Sequence, residues 1–568
     1  MLSALAMACA LAAAVGPARA AASTTQESML QDDNQLVYAS PSHVKQVLTE
    51  LAALGVERIR VSVIWSLVAP DPLSTTPPDF DATDPAAYPA GAWDRYDTLV
   101  TDAAAAGLSV DFNVTAPAPA WATQRLPADL GSKFANVYAP SAIPFGQFVQ
   151  AVGKRYSGTY VPPGATGTTT TVTTPPTVLG ITLPTGFPGT TSTTTTTPPP
   201  PLPRVNYWEI WNEPNEAGWL TPQWRRGPQG PATPGHKAKT NWIEESPVLY
   251  RHLLDQAWSA LAATGHGSDT ILIGDTSAKG SQFHGALPAL PPIMFLRGLY
   301  CVGSTNRPLR GTAAAELACP TNASTGAFVA EHPALFAATG YADHPYSFTT
   351  APGVKSTNPN WATMADLPRL ERFLNGVFAT YGESKPGGVP LYLTEYGYKS
   401  NPPNPYVKIT QAEQAEYINE GEYMAWREPY VRVLSQFELV DAGPQTTEPL
   451  GSPLYWGTFQ TGLVSINGQA KPSYYAYRIP IWLPDPRVGP QVKVWGQLRP
   501  ADRSGPQLAT IQYEPKGASS FSTLEQVESS AQGFIFTTVG VTGRGSMRLA
   551  WADPATGQVD HSRIVPVT

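Results

Sequence analysis

Two glutamates stand where an apolar run gives way to a turn. Glu213 ends the aromatic stretch "NYWEIWNEPN" (206–215), held between Asn212 and Pro214, and Glu395 ends "LYLTEYGY" (391–398). A carboxylic acid that protonates a leaving oxygen and a carboxylate that attacks the adjoining sugar carbon can together cleave a glycosidic bond by double displacement. Their carboxyl groups must then stand about 5 to 5.5 Å apart. No pair this distant in sequence meets by local structure, so the fold must supply the encounter. A barrel of parallel strands does so, because its catalytic residues come from the C-terminal ends of different strands.

The elements for such a barrel are legible. "SHVKQVLTELAALG" sets Val44, Val47, Leu48, Leu51 and Leu54 on one helical face, with Gly55 able to end it. "ERIRVSVIW" (57–65) and "LSVDFNVT" (108–115) read as buried strands, with a helix over 93–107 between them. Further strands are expected at 206–212, 270–277, 340–348, 389–398 and 431–441, each separated by a helical pattern, and "QLVYAS" (35–40) is taken as the first strand. Eight alternating units predict a (β/α)8 TIM barrel over about 30–482, and this count puts Glu213 on the fourth strand and Glu395 on the seventh. An open doubly wound sheet would carry a Gly-rich phosphate loop after its first strand, and none is present.

Three other segments lie outside this alternation. Residues 1–20 are small and apolar and end in "ARA", which reads as a signal peptide too short to span a membrane. Residues 157–203 are rich in Thr and Pro and carry no charge, so they are expected to be a disordered or extended insertion between a helix and a strand, on the barrel face opposite the chemistry. Beyond "LPDPRVGP" the helical period stops. Short alternating runs over 488–568 predict a small antiparallel β-sandwich.

"WNEPN" on a fourth strand and "LTEYG" on a seventh resemble the superfamily of barrel glycoside hydrolases, cellulases and β-xylosidases among them, whose two catalytic glutamates occupy those strand ends. The resemblance covers about 36–480. It implies that Glu213 is the general acid/base and Glu395 the nucleophile, and that Asn212 contacts the sugar 2-hydroxyl. It implies that Arg60, in "IRVSVIW", keeps the nucleophile ionised, and that His344 and Tyr346, in "HPYSF", contact substrate and nucleophile. Where relatives carry a Trp floor after the eighth strand this chain has Phe437, so Trp456 is expected to supply the platform, with Trp65, Trp121, Trp211 and Trp219 as further stacking candidates. Glu209 is expected to bond inside the barrel, and Asn113, although it opens an "NVT" motif, to be a substrate contact or a buried amide.

Composition narrows the partners. With 14% charged residues, a net charge of -7 and no basic stripe, nucleic acid is not an expected ligand. Fifteen Trp in a weakly charged chain suit a neutral ligand with apolar faces, such as sugar. The eight His are scattered without metal-ligand spacing, so no metal and no cofactor are expected. With the apolar leader removed, Cys301 and Cys319 remain, and an even pair in an exported chain predicts a disulfide and a secreted, extracellular protein without a membrane span. Glycoside hydrolysis, transfer to another sugar and non-catalytic carbohydrate binding all remain open on these residues. The sequence leaves the oligomeric state open.

Overall fold

The computed structural model describes residues 22–174, 177–178, 181–182, 191–228, 241–500 and 505–568. The proposed leader, 1–20, lies outside the described residues. Within them, eight strands alternate with helices: β1 (Glu27–Gln31), α1 (Pro41–Ala53), β2 (Arg58–Ile64), α2 (Asp94–Ala105), β3 (Ser109–Thr115), α3 (Ala142–Arg155), β4 (Tyr207–Ile210), α4 (Ser246–Ala263), β5 (Thr270–Ser277), α5 (Pro292–Leu299), β6 (Gly340–His344), α6 (Leu367–Thr380), β7 (Leu391–Tyr396), α7 (Gln411–Arg427), β8 (Val431–Phe437) and α8 (Pro472–Arg478). Every strand pairs in parallel with its neighbours in sequence, and β1 closes the ring on β8.

The first strand is not the expected one. Residues 35–40 contain no strand; Asp33–Leu36 form one helical turn, started by the Asp32 carboxylate, which accepts from the Gln35 N–H. The strand is "ESMLQ", three residues ahead of the expected boundary at 30, and its mixed polarity hid it. Gln26, Ser28 and Gln31 are buried polar residues there, so no apolar alternation marks the segment.

Helix starts and stops follow local chemistry. Pro41 occupies the first turn of α1, and Val44, Val47, Leu48 and Leu51 face the core. Thr410 and Glu413 form a reciprocal capping box at the start of α7, each side chain accepting from the other's backbone N–H. Inside the barrel, alternate residues point to the axis. Met29, Leu272, Ala342, Tyr392 and Val433 close an apolar layer, with Tyr207 packed against it and the Arg58 guanidinium 3.4 Å from the centre of the Tyr207 ring. The next inward residues toward the C-terminal ends are polar: Arg60, Asn113, Glu209 and Thr394. The site is built on that change of layer.

Where it is described, the Thr/Pro insertion is extended. Thr168–Thr174 pairs antiparallel with Thr191–Thr197 as a ribbon between α3 and β4, exposed over 169–174 and 191–195. After α8 the chain forms two antiparallel sheets. One joins Ile481–Trp482, Gly489–Gln497 and Phe534–Val541; the other joins Ser522–Glu528, Leu508–Pro515, Gly545–Ala552, Val559–His561 and Val565–Val567. Their inward residues, including Val494, Ile511, Leu549 and Trp551, share one apolar cluster. In Ser522–Glu528 only Val527 is buried, so no alternation marks this strand in the sequence. The first of these sheets packs on α7, its Trp495 and Phe534 against Tyr423 and Trp426, and Arg499 Nη2 donates to Glu422 at 2.7 Å. Gly55 sits at that junction: a Cβ there would meet Arg499 Cβ at 2.5 Å.

Among the described residues no helix is long and apolar enough to cross a membrane. Cys301 and Cys319 are joined in a disulfide within the β5–β6 connection.

Candidate active site

The guanidinium of Arg60, fully buried on β2, organises the C-terminal mouth of the barrel. Its Nε donates to Glu209 (2.7 Å), Nη1 to Glu395 (2.8 Å) and to Gln31, and Nη2 to Asn212 (2.8 Å) and Asp275 (2.6 Å). These acceptors come from β1, β4, β5 and β7 and from the turn after β4. A planar fork with five donors is the only side chain that can tie so many elements at one point.

Glu213 is fixed through its backbone. After β4 the chain turns sharply, with Trp211 at φ 68° and Glu213 at φ 36°. The turn is held from both sides: Trp211 N–H donates to the Val114 carbonyl (3.0 Å), Asn212 N–H to Thr115 Oγ1 (2.9 Å) and Glu213 N–H to the Asp275 carbonyl (3.0 Å). Asp275 is itself at φ 48°, where the β5–β6 register slips between Gly274 and Thr276. Left-handed backbone at non-glycine residues costs about 1–3 kcal/mol each and persists where its neighbours over-determine it. Here it turns two carboxylates toward one point.

His344, at the end of β6, joins the two halves. Its Nε2 lies 2.8 Å from Asp275 and its Nδ1 lies 2.9 Å from Glu213 and 3.6 Å from Glu395. Both ring nitrogens thus face carboxylates, an arrangement that suits an imidazolium donating from each. Burial opposes the charge, but Glu395 and Asp275 outweigh it and raise the His344 pKa well above the ordinary imidazole value. Asp275 is the complementary case: burial pushes its carboxyl up, while Arg60 and His344, with hydrogen bonds from His344 and Thr394, hold it well below the usual range. Tyr346 donates its hydroxyl to Glu395 at 3.1 Å.

At Glu395 the balance differs from the sequence expectation. Burial raises the carboxyl, His344 and Arg60 lower it, and the charge of Glu213 raises it again; the net direction is upward. Arg60 does sit on the nucleophile candidate, at 2.8 Å, and His344 acts on the same carboxylate from 3.6 Å. Glu209 bonds inside the barrel to Arg60 and Asn113, and burial raises its pKa well above the usual range despite the guanidinium.

The structure brings Glu213, Glu395, Asn212, Arg60, His344 and Tyr346 to one mouth. Asn212 uses its carbonyl on Arg60 and Asn113, which leaves its NH2 as a donor; among the described residues it has no partner. Trp456 is not part of this group. It lies half-buried in a short turn, 5.5 Å from Tyr455, and its carbonyl accepts from Asn404. The aromatic next to the mouth is Phe459, three residues on, 5.0 Å from Phe437 and 6.3 Å from Tyr346. Trp65 and Trp211 are core residues instead of stacking platforms, packed on Phe148 and Phe145. Asn113 is buried and donates to Asp275, so its "NVT" motif is closed to modification.

Asp275, Gln31 and Thr394 were missed by the sequence reading. Asp275 had a usable signal, a carboxylate near the C-terminal end of the strand "TILIGDTS", which is the criterion that singled out Glu213. Gln31 had none, because its strand was not recognised.

Atoms of Glu213, His344 and Glu395 all lie within 4.8 Å of one another, a spacing that could hold one metal ion. Arg60 already sits 2.8 Å from Glu395 and each His344 nitrogen already has a carboxylate, so fixed cations counter the negative charge without one.

No family model matches the chain, and no curated protein matches it. Among solved structures it is similar to a family 39 glycoside hydrolase from the gut symbiont Bacteroides cellulosilyticus WH2 (13% identity, 90% of this chain and 81% of that chain, TM-score 0.42). It is also similar to a monomeric β-xylosidase from Caulobacter crescentus CB15 (14% identity, 92% and 95% covered, TM-score 0.42) and to fungal β-1,4-galactanases (13% identity, 80% and 99% covered, TM-score 0.38).

Proposed function

We propose that the chain is a secreted glycoside hydrolase that works with retention of configuration, by double displacement on an oligosaccharide or polysaccharide. The observation that carries this reading is the carboxylate pair: Glu213 and Glu395, from the ends of β4 and β7, each offer an oxygen within 4.8 Å of the other. Oxygens that close suit attack by one and protonation by the other across a single glycosidic bond, the arrangement of a retaining pair, whose carboxyl groups stand about 5–5.5 Å apart.

In this mechanism Glu395 attacks the anomeric carbon while Glu213 protonates the departing oxygen. Glu213 then removes a proton from the incoming water as the glycosyl–Glu395 ester breaks. Tyr346 and Arg60 hold the Glu395 carboxylate in one orientation by hydrogen bonds of 3.1 and 2.8 Å. His344 stays cationic between Asp275 and Glu395, offsets their mutual repulsion, and holds the Glu213 carboxyl by its Nδ1. Asn212 has the free donor that a sugar hydroxyl requires. The Cys301–Cys319 disulfide supports an oxidising, extracellular setting. The two C-terminal sheets, taken together as a small sandwich, brace α7 and through it the β7 end that carries Glu395.

The test is the stereochemistry of the first product. Proton NMR of an aryl glycoside digest is expected to show the substrate's own anomer first, and a 2-fluoro glycoside inactivator to label Glu395. Release of the opposite anomer would exclude the mechanism. Failure of every glycoside to turn over, with no labelling, would exclude the enzyme.

A further inference from the structure

A cavity of about 510 Å³ opens between the loops that follow β6, β7 and β8, and Tyr346 links it to Glu395. Tyr346, whose hydroxyl donates to Glu395, forms one wall together with Phe348, and Phe459, Val407 and Ile409 form others. Among the described residues, the charged ones that line it are Lys399 and Lys408. Lys408 is exposed. Lys399 is not: it follows Glu395 in the same strand-end loop, is partly buried, and holds its ammonium 4.7 Å from the centre of the Phe459 ring.

Other lysines enclosed by this protein have partners. Lys471 donates to Asp441 (2.5 Å) and Ser400 (3.1 Å), and Lys279 donates to the Ser347 carbonyl (3.0 Å). Among the described residues Lys399 makes no hydrogen bond and no ion pair, and its ammonium lies over the face of Phe459. Burial lowers the Lys399 pKa, and the charge of Glu438, the acid that acts on it, only partly offsets this. A half-desolvated ammonium facing an apolar cavity is costly unless an anion arrives from outside. The walls suit the carbon faces of a sugar ring, and a cation–π platform leaves the outward side of the ammonium free.

We propose that this cavity is the sugar subsite beside Glu395 and that Lys399 takes an anionic substituent of the sugar, so that the chain acts on acidic glycosides in preference to neutral ones. This rests on the hydrolase reading for the position of the bond cleaved, but not for the anion site itself. The shared chemistry is a single negative charge on the ring substituent, which a uronic-acid carboxylate or a sulfate ester would both supply.

The experiment compares 4-nitrophenyl glycosides in matched pairs: glucuronide against glucoside, galacturonide against galactoside, and 6-sulfated against unsulfated sugars. One acidic member is expected to exceed its neutral partner in kcat/KM by about 100-fold or more in the wild type, and which pair does so separates carboxylate from sulfate. Lys399→Met should collapse that ratio to within about threefold, and Lys399→Arg should restore part of it. Calorimetry of the wild type with free glucuronate, galacturonate or glucose 6-sulfate against glucose gives a readout that does not need turnover. Preference for neutral sugars in turnover, or equal binding of charged and neutral sugars, overturns the inference and leaves the hydrolase reading intact. Binding of a sugar acid with no turnover of any glycoside does the reverse.

Discussion

Arg60 Nη1 lies 2.8 Å from Glu395 Oε1, across 335 positions of sequence, and the same guanidinium reaches Glu209 at 2.7 Å and Asp275 at 2.6 Å. One fully buried cation therefore compensates three buried carboxylates on β4, β5 and β7. Its pKa rises well above the ordinary value: burial lowers it, and the charges of Asp275, Glu209 and Glu395 more than reverse that. The geometry of the candidate site and the folding of the barrel depend on one side chain here, and they separate only by the choice of substitution.

Arg60→Met is expected to leave those acids uncompensated and to cost about 3–5 kcal/mol of stability, read as a lowered midpoint in calorimetry. Arg60→Lys keeps the charge but not the fork. It should fold and still lose at least about tenfold in kcat, because Lys cannot orient Glu395 and Asn212 together. Wild-type kcat in Arg60→Lys would show that the fork does not position the nucleophile.

The two glutamates predict different defects. Glu395→Ala should abolish turnover of all glycosides. Glu213→Ala should lose about 10²–10⁴-fold on substrates with poor leaving groups, and much less on dinitrophenyl glycosides, which leave without a proton. It should then accumulate the glycosyl enzyme, visible as a burst and relieved by azide. Equal losses on good and poor leaving groups would show that Glu213 is not the acid.

Much of this site was legible because the residues lie where strand ends must converge. Glu213 and Glu395 could be paired by counting strands, and the count survived the misplacement of β1 because the other seven strands were apolar enough to read. What escaped depended on geometry that no period encodes. Asp275 reaches the centre through a register slip in β5 and a left-handed φ. Phe459 lies 6.3 Å from Tyr346 and 5.0 Å from Phe437, a neighbourhood that no spacing in the sequence marks. The role of His344 in holding Glu395 needed the Nδ1 distances, and the isolation of Lys399 needed the positions of every neighbouring acid.

Stability should fall from acid to mildly alkaline pH. Burial raises Asp32 to about 7 and Asp343 to about 8, and burial with the charge of Asp32 raises Glu438 to about 9. An acid whose folded pKa is raised keeps its proton in the native state while the unfolded chain ionises above about pH 4, so each costs up to about 1.4 kcal/mol per pH unit until its folded pKa is passed. His344 acts in the same direction, since the stability from its raised pKa is complete below about 6.5 and declines as pH rises toward the folded value. The lowered pKa of Asp275 contributes only above the ordinary carboxylate range and is lost below it, which sets the acid limit. Thermal midpoints are therefore expected to peak near about pH 5 and to be lower at about pH 8, and Asp343→Asn should flatten the slope. A midpoint that rises over that interval would contradict these environments.

The disulfide makes a stability prediction that a neighbouring arginine qualifies. Cys301–Cys319 closes a loop of sequence separation 18, for which chain entropy gives about 3 kcal/mol. Buried Arg251 on α4 holds the same two ends by another route: Nη1 donates to the carbonyls of Gly298 (3.2 Å) and Leu299 (3.0 Å), and Nη2 to those of Leu317 (2.5 Å) and Ala318 (3.3 Å). The loop ends therefore stay together when the sulfurs are parted. Cys301→Ser/Cys319→Ser should lower the thermal midpoint by a few degrees, match wild type treated with reductant, and keep its kcat at 25 °C. Arg251→Met should cost more in that background than in the wild type, because each tie then works alone, and strict additivity in calorimetry would show the two to be independent.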